Sequence, residues 1–217
     1  MDLLEAMRCA PTTRRFTDEP VDREAVVRAL DAARFAPSGG NRQGWRVVVV
    51  SEPALRAALA ELYLPHWRAY LQQTGGARML EDPDAFEPRR TRMVRLANDY
   101  AENLASVPVH LVLGVRLADL AVTDEGLSRT SIVGGASVYP FAQNLLLALR
   151  AEGLGASMTT LLVPAEAEVR RLLAIPDDIA LAAHIGVGHR ADPWPAKLSR
   201  RPVEEFAFAE RFGEALE

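Results

Sequence analysis

The 217-residue sequence predicts an α/β or α+β protein in which helices pack on one mixed β-sheet. Three observations lead to that class. The apolar, strand-like runs Val47 to Val50, "VPVHLVLGV" and "IALAAHIGVG" lie far apart in the chain. Long amphipathic segments fall between them, as helices covering a sheet do. No internal repeat divides the sequence, and its length suits one sizeable core, so a single domain over residues 1–217 is expected.

The elements follow in order. Asp22 can cap a helix whose apolar positions Val26, Ala29, Leu30 and Ala33 recur every three or four residues, and Pro37 ends it. Val47 to Val50 is a strand expected to be buried on both faces, because four consecutive β-branched residues offer no polar face. A second helix starts near Pro53, with Leu55, Leu59 and Leu62 on one side, and should stop at Pro65. The polar, Gly- and Pro-containing stretch beyond it predicts a mobile loop over residues 73–92. Met93, Leu96, Ala97, Tyr100 and Leu104 then mark a further amphipathic helix, followed by the strand "VPVHLVLGV".

Residues 116–135 again look like a loop. "SVYPFAQNLLLALRAEG" is so apolar that it predicts a central helix, with Gly153 placed as a C-terminal cap. "LGASMTTLLV" predicts a short strand and turn, "PAEAEVRRLLAI" a short helix opened by Pro164, and "IALAAHIGVG" the third clear strand. From about residue 191 to 217 the tail is irregular and basic, then extended, and reads as a C-terminal arm.

Bulk properties narrow the function. A chain that is 49% apolar and 25% charged is an ordinary globular protein, and a net charge of −4 without a basic stripe argues against nucleic-acid binding. No apolar window is long enough for a membrane span, and the N-terminus lacks a secretory signal, so a cytoplasmic protein is expected. The single Cys9 cannot form an intrachain disulfide and fits a small core position. No Walker sequence, dinucleotide fingerprint or nucleophile elbow occurs. The four histidines show no metal-ligand spacing, and His110 and His184, inside apolar strands, are expected in the core rather than as ligands. No metal site is expected.

A protein whose side chains advertise no chemistry of their own is suited to delegate it to a cofactor. Three clusters could hold an anion and a planar heterocycle: "TTRRF" at 12–16, "PSGGNRQ" at 37–43 and "KLSRR" at 197–201. Together with "AARFAPSGGNRQGWRVVVV" and "YPFAQNLLLALRAEGLGAS", in this order and at these distances, they resemble the nitroreductase family of FMN-dependent oxidoreductases. The resemblance covers the chain from Leu3 to about Phe206.

That resemblance implies an α+β, three-layer fold with a central mixed sheet, and an intertwined homodimer with FMN at the interface. It also implies a C-terminal arm that reaches the partner. Arg14 matches the basic residue at the ribityl chain and the flavin ring edge, where a cation stabilises the charge that develops on reduction. Thr12 matches a position often held by Ser, and Arg15 is a secondary candidate. Pro37, Ser38 and Gly39 match the turn lining the ring, and Asn41 the residue reaching the neighbouring subunit's flavin. Thr159 and Thr160 fall where the ring's N5 and pyrimidine edge are approached. Lys197 and Arg200 correspond to the phosphate site, whereas Ala10 and Pro11 stand where many members carry basic or polar phosphate ligands. The implied activity is ping-pong hydride transfer from NADH or NADPH to a flat acceptor of the nitroaromatic or quinone type. The alternatives are other flavin chemistry on the same fold, namely dehalogenation, flavin breakdown or use of a deazaflavin donor, and a non-catalytic flavin binder.

Overall fold

The computed structural model describes residues 1–216, and Glu217, the last residue of the expected arm, lies outside the described residues. Seven helices and four strands were found among them: α1 Leu3–Cys9, α2 Arg23–Ala33, β1 Trp45–Val50, α3 Pro53–Thr74, α4 Gly76–Glu81, α5 Pro88–Glu102, β2 Val109–Arg116, α6 Tyr139–Ala151, β3 Leu154–Thr159, α7 Glu166–Leu173 and β4 Ile179–His189. The sheet order is β1-β2-β4-β3. Two apolar cores sandwich it. α2 and α6 cover one face through Val26, Ala29, Phe141, Leu145 and Leu149. α3, α5 and α7 cover the other through Leu59, Tyr63, Trp67, Tyr100 and Val169. The three-layer α+β architecture is therefore present. Every pairing between named strands is antiparallel, and the parallel component of the sheet is the single bridge from Thr12 to Ala156.

Alternation along the strands explains the two cores. On β2, Leu111 and Leu113 enter the α2/α6 core while Val112 enters the other. The register of β2 on β4 shifts between Leu113 and Gly114, and this bulge turns Leu181 to the face opposite Ala183. His110 and His184 are fully buried, as expected, and a ring-to-ring hydrogen bond of 2.9 Å joins His184 Nε2 to His110 Nδ1, while His184 Nδ1 is left without a partner among the described residues. The other His110 nitrogen, Nε2, lies 3.1 Å from the Leu104 carbonyl. Cys9 is likewise buried.

Three local expectations need correction. β1 is an edge strand: Val47 and Val48 pack into opposite cores, but Val49 is 43% exposed, because no strand or helix covers it. α3 does not stop at Pro65 but continues to Thr74, with Leu59, Tyr63, Trp67 and Leu71 buried at four-residue spacing across the proline. Pro65 removes one backbone donor, a loss the packing on either side outweighs. Residues 73–92 are not a loop. Gly75, at φ 75°, turns the chain from α3 into α4, and the Glu87 carboxylate accepts from the Arg89 and Arg90 amides to cap α5. The Trp67 indole donates to Asn98 Oδ1 at 3.0 Å, tying α3 to α5.

The tail is irregular as expected but folds back rather than extending. Phe208 bridges to Ala215, and its ring lies 4.5 Å from that of Phe212. Phe206, Phe212 and Leu216 remain exposed. Among the described residues no helix is long and apolar enough to cross a membrane.

Candidate functional site

The site is organised by β3, the sheet edge opposite β1. Residues 11–14 run beside it in extended form, with the Thr13 amide donating to the Ala156 carbonyl at 2.8 Å. Thr13 is fully buried, and its hydroxyl accepts from Arg190 at 3.3 Å. This anchor leaves Thr12 and Arg14 on either side of it, lining different clefts.

The first cleft, about 250 Å³, is lined by Ala10, Pro11, Thr12, Gln143, Arg150, Trp194 and Arg200. Arg150 stacks on Trp194, with Cζ 3.8 Å from the ring centroid, and its Nη2 lies 3.5 Å from the Cys9 sulfur. The second cleft, about 350 Å³, is lined by Arg14, Tyr63, Trp67, Tyr70, Tyr100, Thr159 and Thr160. Met158 lines both, so the two open on either side of one β3 residue. A further cavity of about 300 Å³ continues from Arg14, Trp67 and Tyr70 towards Met79 and Arg90.

The ends differ in charge: two arginines line the first cleft and one lines the second, and among the described residues no carboxylate lines either. At the second, burial raises the Tyr63 hydroxyl above its usual pKa, against the opposing pull of the Thr159 hydroxyl and the Arg14 charge. Burial raises Tyr100 much further. Ser157 is close enough to pull that value back but does not meet hydrogen-bond geometry, so the Tyr100 oxygen is buried without a partner. Both phenols stay protonated at neutral pH. Together the clefts suit an elongated ligand with an anionic end and a flat end, the first met by guanidinium groups and the second by aromatic faces.

Of the residues singled out from sequence, the fold gathers Thr12, Arg14, Thr159, Thr160 and Arg200 around β3. Arg15 instead pairs with Asp192 at 2.8 Å on the far side of Arg14. Lys197 is exposed and lines neither cleft. Pro37, Ser38, Gly39 and Asn41 lie elsewhere in the same chain. The Gly39 amide donates to Ser137 Oγ at 3.0 Å, just ahead of α6, whereas Arg150 lies in its last turn. At about 1.5 Å per helical residue, that puts the turn's contact at Ser137 about 9 Å along the helix from Gln143, which lines the first cleft, and about 20 Å from Arg150. Within the turn, Ser38 Oγ accepts from the Gln43 amide, and the Gln43 side chain donates to Asn41 Oδ1. Asn41 and Gln43 are held at φ 53° and 51°, a left-handed conformation uncommon for residues with a Cβ and found where a turn is over-determined by its surroundings.

Tyr63, Trp67, Tyr70, Arg150 and Trp194 were not singled out from sequence. The four-residue spacing of Tyr63 and Trp67 carries across Pro65 and is a signal for the first two. Arg150 carries none, because only the returning tail brings Trp194 over it.

Fold and site define a three-layer α+β protein with a ligand cleft along a sheet edge. Residues 10–189 match the Nitroreductase family, and the chain belongs to it. It is 31% identical over 204 residues to the 5,6-dimethylbenzimidazole synthase of Rhodospirillum rubrum, covering 92% of this chain and 82% of that one. It is 29% identical over 188 residues to the NADH dehydrogenase of Thermus thermophilus, covering 82% of each. The fold is also that of an iodotyrosine deiodinase solved with FMN and 3-iodo-L-tyrosine, with a TM-score of 0.70, 23% identity and coverage of 98% and 99%.

Proposed function

We propose that this chain is an FMN-dependent oxidoreductase that takes a hydride from NADH or NADPH and delivers it to a flat electron acceptor of the nitroaromatic or quinone type. The observation that carries the reading is the pair of clefts meeting at Met158, cationic at one end and aromatic at the other. FMN fits these residues: its phosphate end suits the two-arginine cleft at Thr12 and Arg200, and its ring suits the aromatic cleft at Arg14, Thr159 and Thr160. The buried, unpartnered Nε of Arg150 and Oη of Tyr100 are groups a bound ligand could engage, directly or through water. When bound, FMN supplies a ring nitrogen that accepts a hydride from one substrate and returns it to the next.

The chain's own residues bind, orient and shield. Arg14 offers a fixed positive charge at the ring edge, where negative charge develops. Tyr63, Trp67 and Tyr70 exclude water and offer faces on which planar substrates stack. Burial raises the pKa of the Tyr63 and Tyr100 hydroxyls and so makes neither a stronger acid, and solvent can supply the proton. The protein works as a homodimer in the cytoplasm, and the turn of Pro37, Ser38, Gly39 and Asn41 completes the partner's site. The arm from residue 191 packs on the partner through its exposed Phe206 and Phe212. One test is an absorption spectrum of the purified protein, then anaerobic titration with each donor. A colourless protein that leaves the absorbance and fluorescence of added FMN unchanged refutes the proposal.

A second reading has specific support, since the relatives include a 5,6-dimethylbenzimidazole synthase and the fold is shared with a deiodinase. On it, the same site runs flavin breakdown, dehalogenation or transfer from a deazaflavin donor. Bound flavin that neither NADH nor NADPH bleaches favours it. A flavin that no donor and acceptor turn over marks a non-catalytic binder.

A further inference from the structure

We propose that Arg150 is the principal phosphate-binding cation of the cleft, assisted by Arg200, and that it discriminates a phosphorylated flavin from its unphosphorylated form. The inference rests on the flavin reading above and extends it to a residue of α6 that lines the same cleft as Thr12. Two arginines line this cleft, and no carboxylate lines it with them. No carboxylate among the described residues forms an ion pair with Arg150.

The Arg150 guanidinium is held rather than free. Its Cζ sits 3.8 Å over the centre of the Trp194 ring, and its Nη2 meets only the Cys9 sulfur, a weak acceptor. Its Nε is buried and makes no hydrogen bond. A half-buried, stacked guanidinium with unused donors is pre-organised for an oxyanion, because its orientation is fixed before the ligand arrives. Gln143 and the Thr12 hydroxyl add neutral donors on the same cleft.

The other walls explain why the charge comes from α6. Ala10 and Pro11 line the cleft with an apolar surface, and Pro11 has no amide hydrogen to offer. Thr12 stands two residues from Arg14, about 7 Å along an extended chain. An anion held opposite Thr12 is therefore separated from the ring-binding cleft by a short linker, the layout of a phosphate monoester carried on a side chain of a planar ring.

The bland alternative is that Arg150 only clamps Trp194, and with it the tail, onto α1 and α6. Fluorescence titration of the full-length chain, stripped of flavin, with FMN and with riboflavin separates the two. The expected result is that wild type prefers FMN, that Arg150→Gln weakens FMN binding about 10- to 100-fold while leaving riboflavin within about twofold, and that Arg150→Lys restores part of the preference. Equal loss for both ligands, or no loss for either, overturns the proposal and leaves the clamp. A wild-type chain that binds FMN and riboflavin equally well also overturns it while sparing the flavin reading. If wild type binds neither ligand, the flavin reading itself falls.

Discussion

Gly155 and Thr13 interlock: a Cβ added to Gly155 would lie 2.7 Å from both the methyl and the hydroxyl of Thr13. The missing side chain on β3 lets residues 11–14 press against the strand, and this contact sets where Thr12 and Arg14 emerge. Gly155→Ala should therefore cost about 1–3 kcal/mol of stability through overpacking and also weaken flavin binding. Chemical denaturation and flavin titration of one preparation check both. A destabilised variant with unchanged affinity would show that the Thr13 anchor does not position the site.

Arg14→Ala should weaken FMN binding by about 1.5–3 kcal/mol, the worth of a charge-assisted contact. The loss should extend to riboflavin in equal measure, since Arg14 lines the aromatic cleft and not the one at Arg150 and Arg200. Fluorescence titration with the two flavins reads this directly, and unchanged affinity for both would misplace the ring.

Asn41 should act on the flavin of the other subunit. Arg14→Ala and Asn41→Ala chains, each a weak binder alone, should regain one site of wild-type affinity per mixed dimer after co-expression. That site draws Arg14 from one chain and Asn41 from the other. Tandem affinity tags isolate the mixed species, and the absence of any tight site would place both residues in one chain's cleft.

The His110 and His184 pair makes stability depend on pH. Burial pushes His110 down from 6.5 to about 4, with the Arg56 charge adding to it and backbone acceptors opposing it, and pushes His184 well below its usual value. Groups depressed in the folded state take up protons more readily when unfolded. Their stabilising effect is full above pH 6.5 and is lost as pH falls towards 4. Each histidine contributes at most about 1.4 kcal/mol per pH unit. Urea unfolding between pH 7 and 5 should show the decline, and a flat profile would mean that the pair is not buried as described.

Much of the fold was legible where pattern and packing agree. Asp22 caps α2 through a bond to the Glu24 amide, and the apolar run before Gly153 is indeed the central helix. β2 and β4 announced themselves because their neighbours cover both faces. The region from Pro65 to Pro88 was misread because proline, glycine and charge are local signals of a break, whereas the stripe of Leu59, Tyr63, Trp67 and Leu71 is a longer-range one. Packing against the sheet favoured the stripe.

The site divided along similar lines. Thr12, Arg14, Thr159 and Thr160 come together because two short segments lie side by side on one strand edge. Arg150 was hidden because a basic residue in a helix's last turn has a sufficient local explanation in the helix dipole. Its partner, Trp194, is 44 positions away and reaches it only after β4 has returned the chain.

The course of α3, α4 and α5 has a consequence for how such proteins diversify. The excursion leaves the sheet at Val50 and re-enters at Val109, and Val50 sits opposite His110 in the β1–β2 ladder. Its two stems are thus neighbours, and the whole helical excursion hangs from a single hairpin. Lengthening, shortening or re-angling it alters the wall formed by Trp67, Tyr70 and Met79 without shifting any strand register. A lineage can in this way reshape that one wall while keeping Thr12, Arg14 and the β3 edge where they are.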